Sequence, residues 1–362
     1  MTPRATTPDA AIASEPVDHA GLPDVPGVRL RHWRGFDADL PALWRVSDAA
    51  RAADHELQRN TFEGMAGHYR HLERCDLDRD LVIAELEGRL AGYGRVEWTD
   101  TNDGERWYEG VCNVDPAARR KGVGTLLLAW SERRRRAIAA EQAATLIAGD
   151  RVRALTTFTF DGDQGGRILL ERAGYVAFRR FASMRRPDLA DIRSVPMPDG
   201  LDVRSVPREA APMRQVFDAD IEAFRDHFGW SDGSDERFAA FLEDPDVDPD
   251  LWLVAYDGDE VAGAVLNGIH VSADGERAGW LDSIFTRRPW RQRGLARALI
   301  ARSLSLLRER GLDAASLGVD LANPHQALAL YESCGFRTVS ASTAYRKPLP
   351  RLTDSQPDEV PR

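Results

Sequence analysis

The chain has 362 residues, of which 43% are apolar and 29% are charged, and its formal net charge is −10. This length allows two domains with complete hydrophobic cores, and the composition is that of an ordinary globular protein. The acidic balance argues against a nucleic-acid-binding protein, whose binding surface would be basic. It is compatible with a cationic substrate such as an amine, and equally with acidic charge that only maintains solubility.

The sequence predicts a cytoplasmic protein that holds no metal and does not span a membrane. It contains no run of 18 apolar residues, and its first residues lack the apolar core of a signal peptide. The three cysteines, Cys75, Cys112 and Cys334, and the eight histidines show no metal-ligand spacing. We expect disordered tails at residues 1–27 and 349–362, and a chain that is a monomer or a homodimer.

The first half of the chain, residues 28–186, alternates strand and helix patterns. The segment VRLRHW predicts a strand, and DLVIAELEGRLAGYGRVEW predicts a hairpin with its turn at Glu87-Gly88. The predicted helices cover residues 40–56, 69–77, 122–140 and 167–172, and the remaining strands cover 108–114, 155–160 and 175–184. A linker with three prolines is expected at residues 187–200.

The second half, residues 201–348, repeats this series. LDVRSV predicts a strand, and DLWLVAYDGDEVAGAVLNGIHV predicts a hairpin turned at Asp257-Gly258. The predicted helices cover 208–228, the residues before Gly311, and 324–333, while strands are expected at 280–285, 314–321 and 335–346. Because hairpins alternate with crossover helices, each half is predicted to have an α/β fold with a mixed sheet.

Nearly constant offsets indicate that the two halves are copies of one domain. Gly122 and Gly294 lie 172 positions apart (294 − 122), and Gly92 and Gly263 lie 171 apart (263 − 92). Each of the first pair belongs to a basic turn between a predicted strand and a predicted helix. Such a turn exposes backbone N–H groups at a helix N-terminus, where a phosphate binds well.

The order strand, R-x-x-G-x-G/A, helix, strand, N-x-x-x-A-x-x-x-Y-x-x-x-G-F resembles the GNAT superfamily of N-acetyltransferases. The second copy carries the whole pattern, at Arg291, Gly294, Ala296, Asn323, Ala327, Tyr331, Gly335 and Phe336. The first copy carries the turn, at Arg119, Gly122 and Gly124, and the ending Ala173-Gly174-Tyr175. The resemblance implies two tandem GNAT-type acyl-CoA N-acyltransferase domains, in a plan similar to that of mycothiol-synthase-type enzymes.

The resemblance also implies transfer of an acetyl group from acetyl-CoA to a primary amine of a small molecule or peptide. The turn would hold the CoA diphosphate on backbone amides, and the strand before it would pair with the pantetheine. The expected cofactor-binding residues are Ile284, Phe285, Thr286, Arg291, Gln292, Arg293, Gly294, Leu295, Ala296 and Asn323. Their counterparts in the first copy are Val114, Arg119, Arg120, Lys121, Gly122, Val123 and Gly124.

Two residues of the second copy are candidates for proton transfer. The phenol of Tyr331 is a candidate general acid for the CoA thiolate, and the alternative is a core aromatic residue on its helix. The carboxylate of Asp282, on the strand before the turn, is a candidate base, and the alternative is a structural hydrogen bond. Asn323 precedes a proline, so helix capping explains it as well as cofactor contact does.

The helical segment after the first strand of the second copy would recognise the acceptor. Its acidic and aromatic residues include Asp220, Asp226, His227 and Trp230, which could receive a cation. A solvated acidic helix face with a buried tryptophan is the alternative interpretation.

The first copy departs from the pattern at the positions that carry chemistry. Leu170 stands opposite Tyr331, and Gly110 stands opposite Asp282. We therefore expect catalysis in the second copy only, while the first turn either still binds CoA or is retained for packing. Pro116 and Pro289 also stand at different distances from their turn glycines, which leaves the geometry of the second turn open.

Three functional hypotheses follow. The first is an acetyl-CoA-dependent N-acetyltransferase whose second domain is catalytic. The second is a mycothiol-synthase-type acetyltransferase, which differs only in its acceptor, a cysteinyl pseudodisaccharide. The third is a non-catalytic CoA sensor or partner-binding protein.

Overall fold

The computed structural model describes residues 16–56, 61–101, 104–143, 152–225, 233–244, 246–271, 277–323 and 327–350. The chain divides into two compact units. Unit 1 comprises Met1–Glu56, Tyr69–Phe178 and Thr343–Arg362, and unit 2 comprises Leu57–His68 and Arg179–Ser342. Unit 2 thus includes residues 57–68 and 179–186 from the first half of the chain, and unit 1 includes residues 343–348 from the second half.

Unit 1 is built on a mixed sheet flanked by helices. Its strands are β1 (Val28–His32), β2 (Leu81–Leu86), β3 (Arg89–Asp100), β4 (Arg106–Val114) and β5 (Arg153–Phe160), in that spatial order. Its helices are α1 (Phe36–Ala53), α3 (Leu77–Asp80), α4 (Val123–Ala143) and α5 (Gln164–Arg172). Strands β1 to β4 pair antiparallel and β4 pairs parallel with β5, which confirms the predicted mixed α/β fold for this half.

Unit 2 has the same plan. Its strands are β7 (Asp202–Arg204), β8 (Leu253–Asp257), β9 (Glu260–Val271), β10 (Arg277–Thr286) and β11 (Ala315–Asp320), with β8 to β10 antiparallel and β10 parallel to β11. Its helices are α6 (Ala210–Phe224), α7 (Asp235–Glu243), α8 (Leu295–Glu309) and α9 (Ala327–Ser333). Helix α2 (Phe62–Arg70) of the first copy lies mostly in this unit.

The last strand of each copy belongs in part to the other unit. Strand β6 (Val176–Arg186) contributes residues 179–186 to unit 2, where Phe181–Arg186 pair antiparallel with β11. Strand β12 (Arg337–Pro348) begins in unit 2 and contributes residues 343–348 to unit 1. Within unit 1 the ammonium of Lys347 lies 2.9 Å from a carboxylate oxygen of Glu132 on α4, which helps to hold this strand.

The hydrophobic cores lie between the sheets and the helices. In unit 1 one core joins β2 to β5 with α4, through fully buried side chains such as Leu126, Leu127 and Leu155. In unit 2 one core lies under α8, around Leu299, Leu304 and Leu307, and a second lies under α6. The buried residues of α8, among them Leu295, Leu299 and Leu304, form the apolar face of an amphipathic helix.

Two expectations about the chain ends do not hold for the described residues. Residues 16–27 were expected to be disordered, but Val17 is 5% exposed and Leu22 and Val25 pack on the unit 1 core. Leu349 likewise donates its N–H to Arg153 O at 2.9 Å. The isolated apolar residues in these polar segments provide enough buried surface to fix them.

The linker at residues 187–200 packs closely on unit 2. Leu189 is 2% exposed in the core under α8, and its N–H donates to Asp313 O. The helix predicted at 69–77 is also displaced: α2 ends at Arg70 after beginning at Phe62. The described part of the chain contains no helix long and apolar enough to cross a membrane.

Candidate active site

The turn between β10 and α8 presents uncapped backbone amides. Gln292 and Gly294 both adopt left-handed conformations, with φ of 61° and 85°. The first backbone bond of the helix runs from Ala298 N to Gly294 O, so the N–H groups of residues 295–297 have no partner within the helix. Among the described residues, apart from the two chain neighbours of Gly294, no heavy atom lies within 4 Å of the place where a β-carbon on Gly294 would be, which leaves the approach to these amides open.

The arginine that begins this turn is engaged by the protein. Arg291 donates from Nε to Thr286 O and from Nη2 to Ala223 O, each at 3.0 Å. Its guanidinium therefore fastens the end of α6 to the end of β10 and shapes the turn. That it also pairs with a diphosphate stays a prediction, as it does for the exposed Arg293.

Strand β10 separates from β11 just before this turn. Its parallel pairing covers Gly279–Leu281 against Ala315–Leu317, whereas its antiparallel pairing with β9 continues to Thr286. In the described part of the chain, the β11 side of residues 283–286 has no strand partner. The side chain of Phe285 is only 4% exposed, so this residue can offer a ligand its backbone alone.

The hydroxyl of Thr286 is a second open position on this strand. Its Oγ1 is buried and has no hydrogen-bond partner among the described residues. An unpaired buried hydroxyl is costly unless a partner arrives, so this atom is a candidate contact for a bound ligand.

A β-bulge in β10 determines where Asp282 points. The register with β9 shifts between Leu281 and Ser283, so Asp282 is the extra residue of the bulge. Its Oδ1 lies 3.4 Å from Nε2 of His270 on β9. Asp282 thus makes a specific contact to a titratable side chain.

Asp220 and Ser283 connect helix α6 to the strand beside the bulge. The Ser283 hydroxyl donates a hydrogen bond to the Asp220 carboxylate. Burial raises the pKa of Asp220 to about 6, although that hydrogen bond and the charge of Arg237 act in the opposite direction. Of the four residues predicted to recognise the acceptor, only Asp220 is described, since Asp226, His227 and Trp230 lie outside the described residues.

Tyr331 lies on α9 and is 8% exposed in the core under α8. Its ring contacts Phe336 edge-on, with 6.5 Å between the ring centroids. Burial, followed by the nearby Cys334, raises the pKa of Tyr331 to about 12, which keeps the phenol protonated. The burial agrees with the alternative of a core aromatic residue, and the protonated phenol agrees with a general acid, so the role of Tyr331 stays a prediction.

Asn323 lies just before residues 324–326, which are outside the described residues, and α9 is described from Ala327. Its backbone N–H donates to Asp320 O at 3.1 Å. The proposed capping of the first helical turn by Asn323 therefore falls on residues that are not described.

The turn of unit 1 repeats the same backbone with a different environment. Arg120 and Gly122 have φ of 66° and 86°, and α4 begins at Val123. Arg119 forms two hydrogen bonds with the carboxylate of Asp54, at 2.6 and 2.7 Å. A β-carbon on Gly122 would lie 2.9 Å from Cγ1 of Val25, so the N-terminal segment covers this turn.

The different proline positions do not alter the turns. The short 3-10 turns Pro116–Ala118 and Arg288–Trp290 lie 172 positions apart (288 − 116), as do the two turn glycines. A proline is tolerated at the first or the second position of such a short turn. The second turn therefore has the same geometry as the first.

Unit 1 carries a titratable group that the comparison of the copies did not select. Leu170 is buried in the position of Tyr331, as expected. Glu109 on β4, however, pairs across the sheet with Glu97, and burial together with that second carboxylate raises its pKa to about 7. In the sequence Glu109 stands out only as the neighbour of Gly110, and its pairing with the half-buried Glu97 depends on the register of β3 and β4.

His270 is the residue of unit 2 that sequence analysis missed. A signal existed, because Asn267, Gly268 and His270 interrupt the apolar run of the second hairpin. The pairing of His270 with Asp282 depends on the register of β9 and β10 and on the bulge, which the sequence pattern did not provide.

Comparisons with known proteins agree with this geometry. The family model described as "Acetyltransferase (GNAT) family" matches residues 50–155 and 213–336, one region in each copy. A mycothiol acetyltransferase of Salinispora arenicola is 30% identical over 317 residues, covering 86% of this chain and 92% of the relative. A mycothiol acetyltransferase of Geodermatophilus obscurus is 28% identical over 273 residues, covering 74% and 82%.

A solved structure shows the same fold over nearly the whole chain. It is a GCN5-related N-acetyltransferase from Sphaerobacter thermophilus, with a TM-score of 0.69 and 26% identity. The match covers 91% of this chain and 98% of that structure. The duplicated architecture inferred from the glycine offsets is therefore a property of known proteins.

Proposed function

The chain belongs to the acetyltransferase (GNAT) family and is an acyltransferase, and from this premise we propose that unit 2 transfers an acetyl group from acetyl-CoA to a primary amine. The observation that carries the proposal is the open helix N-terminus at Gly294. Bared amides at the start of a 15-residue helix suit a diphosphate, and the positive end of the helix dipole adds to the attraction.

The residues of unit 2 fit the thioester cofactor in two further ways. The β11 side of residues 283–286 offers backbone groups to an extended amide chain, as in the addition of a peptide to a sheet edge. The buried Oγ1 of Thr286 lacks a partner among the described residues, and a polar ligand atom would satisfy it. Acetyl-CoA supplies the activated acyl group, and the protein supplies position and proton transfer.

Tyr331 and Asp282 are the proposed proton-transfer residues. Tyr331 would donate its phenolic proton to the CoA thiolate as that group departs, which its raised pKa permits throughout the neutral range. Asp282 would take part in removing the proton of the acceptor ammonium, since its side chain is 46% exposed and its Oδ1 lies 3.4 Å from the imidazole of His270.

Unit 1 is proposed to be non-catalytic. Leu170 replaces the tyrosine there, and Val25 covers the turn glycine. The fully buried Arg135 also donates to Tyr108 O and Thr156 O, at the point where β4 and β5 cease to pair. These contacts give unit 1 a structural role.

The names of the relatives favour an alternative acceptor. Both are mycothiol acetyltransferases, and the Salinispora arenicola protein matches over 92% of its length. A mycothiol-synthase-type reaction on a cysteinyl pseudodisaccharide is therefore the second candidate. It would use the same turn and the same proton-transfer residues.

An acceptor screen tests the proposal. The full-length protein would be mixed with acetyl-CoA and a panel of amines that includes the thiol sugar, and free CoA thiol would be measured. We expect thiol release that requires an amine, and release confined to the thiol sugar would select the second candidate. Acetyl-CoA binding in calorimetry without release by any amine would favour a CoA sensor instead.

A further inference from the structure

A histidine and a carboxylate meet on adjacent strands of unit 2. Nε2 of His270 on β9 lies 3.4 Å from Oδ1 of Asp282 on β10, and the imidazole contacts Trp280 with 5.2 Å between ring centroids. The side chains of His270 and Asp282 remain 32% and 46% exposed. The pair is therefore held by the sheet and is accessible to a ligand from outside.

Gly268, which pairs with Trp280 just before the bulge, makes this contact possible. A β-carbon on Gly268 would lie 2.6 Å from Oδ2 of Asp282 and 3.6 Å from Nε2 of His270. Any larger residue would displace the carboxylate from its present position. The bulge moves Asp282 out of the regular alternation of β10, and the absence of a side chain at Gly268 gives the carboxylate its space.

The charges that face His270 come from two elements. Asp282 lies on the neighbouring strand, and Asp246 and Asp244 lie in the turn after α7. Burial alone would lower the pKa of His270, but the hydrogen bond and charge of Asp282, with the charges of Asp246 and Asp244, raise it above 6.5. Three carboxylates around one half-buried imidazole make this face attractive to a cation.

We infer that His270, oriented by Asp282, receives the proton that the acceptor ammonium must lose before it can attack the thioester. The inference rests on the proposed function and adds a catalytic residue from β9 to it. It also restricts the class of acceptor to amines that bind as cations, with the carboxylates of Asp246 and Asp244 beside the positive charge.

The proton account is balanced. One N–H bond of the ammonium breaks and its proton goes to His270, which later releases it to water. The amine nitrogen then forms the new C–N bond, the C–S bond breaks, and the thiolate takes the proton of Tyr331. The second nitrogen-bound proton, lost as the amide forms, restores the phenol, so one proton is released per turnover.

The test is the pH dependence of kcat/KM for the full-length protein with an amine found in the acceptor screen. His270→Gln should lower kcat/KM by about 100-fold and abolish the acid limb that reports the imidazole. Asp282→Asn should keep an acid limb but move it to lower pH, because the imidazolium loses its partner. The matched control is His32→Gln on β1 of unit 1, which should change neither the rate nor the limb.

A second readout does not depend on turnover. In NMR titrations, the signal that disappears in His270→Gln identifies the imidazole of His270, and its titration midpoint should fall in Asp282→Asn. Two results would overturn the inference while the proposed function stands. One is a titration midpoint of His270 that does not change in Asp282→Asn, and the other is an acid limb that is still present in His270→Gln. If the wild type releases no thiol with any amine, the proposed function fails and the inference fails with it.

Discussion

Cγ1 of Val25 lies 2.9 Å from the position that a β-carbon on Gly122 would occupy. The equivalent position on Gly294, in the other copy of the turn, has no neighbour within 4 Å in the part of the chain that the structure describes, its adjoining residues aside. The two turns have the same backbone, so the difference lies in what covers them. In unit 1 a segment of the chain covers the turn, and in unit 2 the turn is open.

This difference predicts one strong acetyl-CoA site per chain. Val25 fills space that a diphosphate would need at Gly122, whereas the amides at Gly294 remain accessible. Titration calorimetry of the full-length protein should give a stoichiometry close to one. Two sites of similar affinity would contradict the prediction, and Val25→Gly would then show whether the segment moves aside.

Replacing the turn glycines by alanine should have unequal effects on stability. Both residues are in the left-handed region, so each substitution costs about 1–2 kcal/mol of backbone strain. Gly122→Ala should lower the free energy of unfolding by roughly 1 kcal/mol more, since its methyl group would collide with Val25. Urea denaturation of the two variants measures the difference, and equal losses would mean that Val25 gives way freely.

The two ends of α8 offer a matched test of the acetyl-CoA site. Gly294 and Gly311 have φ of 85° and 79°, and no heavy atom of the other described residues lies within 4 Å of a β-carbon on either, chain neighbours excepted. Gly294→Val should weaken acetyl-CoA binding about tenfold or more, because its side chain blocks the bared amides. Gly311→Val carries similar strain and should leave the affinity unchanged. Equal affinities for both variants and the wild type would remove this turn from the binding site.

Replacing Tyr331 by phenylalanine separates its two possible roles. The ring would remain in the core beside Phe336, so the free energy of unfolding should change by less than about 1 kcal/mol. If the phenol is the general acid, kcat should fall about 100-fold with acetyl-CoA affinity kept. Tyr175→Phe in unit 1, which loses only the hydrogen bond from Arg135, is the control and should retain full activity. An unchanged kcat in Tyr331→Phe would leave the residue a core aromatic.

Asp220 should make stability depend on pH in the acidic range. Its pKa is about 6 in the folded protein, against an ordinary value of 3.8 for an aspartate, so the folded state holds the proton more strongly. The free energy of unfolding therefore decreases as the pH rises from about 4 to 6. Asp220→Asn should remove this decrease, which amounts to roughly 1–3 kcal/mol. Denaturation curves at pH 4, 5, 6 and 7 compare the slopes, and parallel slopes would show that Asp220 is not the group responsible.

The architecture was predictable because it depends on local patterns that the duplication presents twice. The strands and helices are recognisable from the period of their apolar residues, and the basic turns from their glycines. Glu87-Gly88 forms the expected hairpin turn, with both φ angles positive. The constant offset between the two turns then indicated where the corresponding strands and helices of the second copy lie. The mixed α/β fold and the GNAT family follow from these features.

The environment of each site residue was not predictable in the same way. Three contacts join residues that are separated in the sequence. They are the hydrogen bond from Arg291 Nη2 to Ala223 O, the covering of Gly122 by Val25, and the pairing of His270 with Asp282. Each depends on strand register or on a segment without periodicity. Helix α7 was missed because its nine residues carry too short a pattern to separate from the acidic loop around it.

The sharing of β6 and β12 between the units has a consequence for how the protein is made. The final strand segment of unit 1, residues 343–348, follows residues 179–342 of unit 2 along the chain, so it is synthesised after them. A nascent chain that has emerged only as far as the middle of the second copy therefore carries a first sheet with an unfilled edge, which favours aggregation. Expressing either copy by itself would leave one edge of its sheet permanently unpaired, so the two copies should be expressed as one polypeptide.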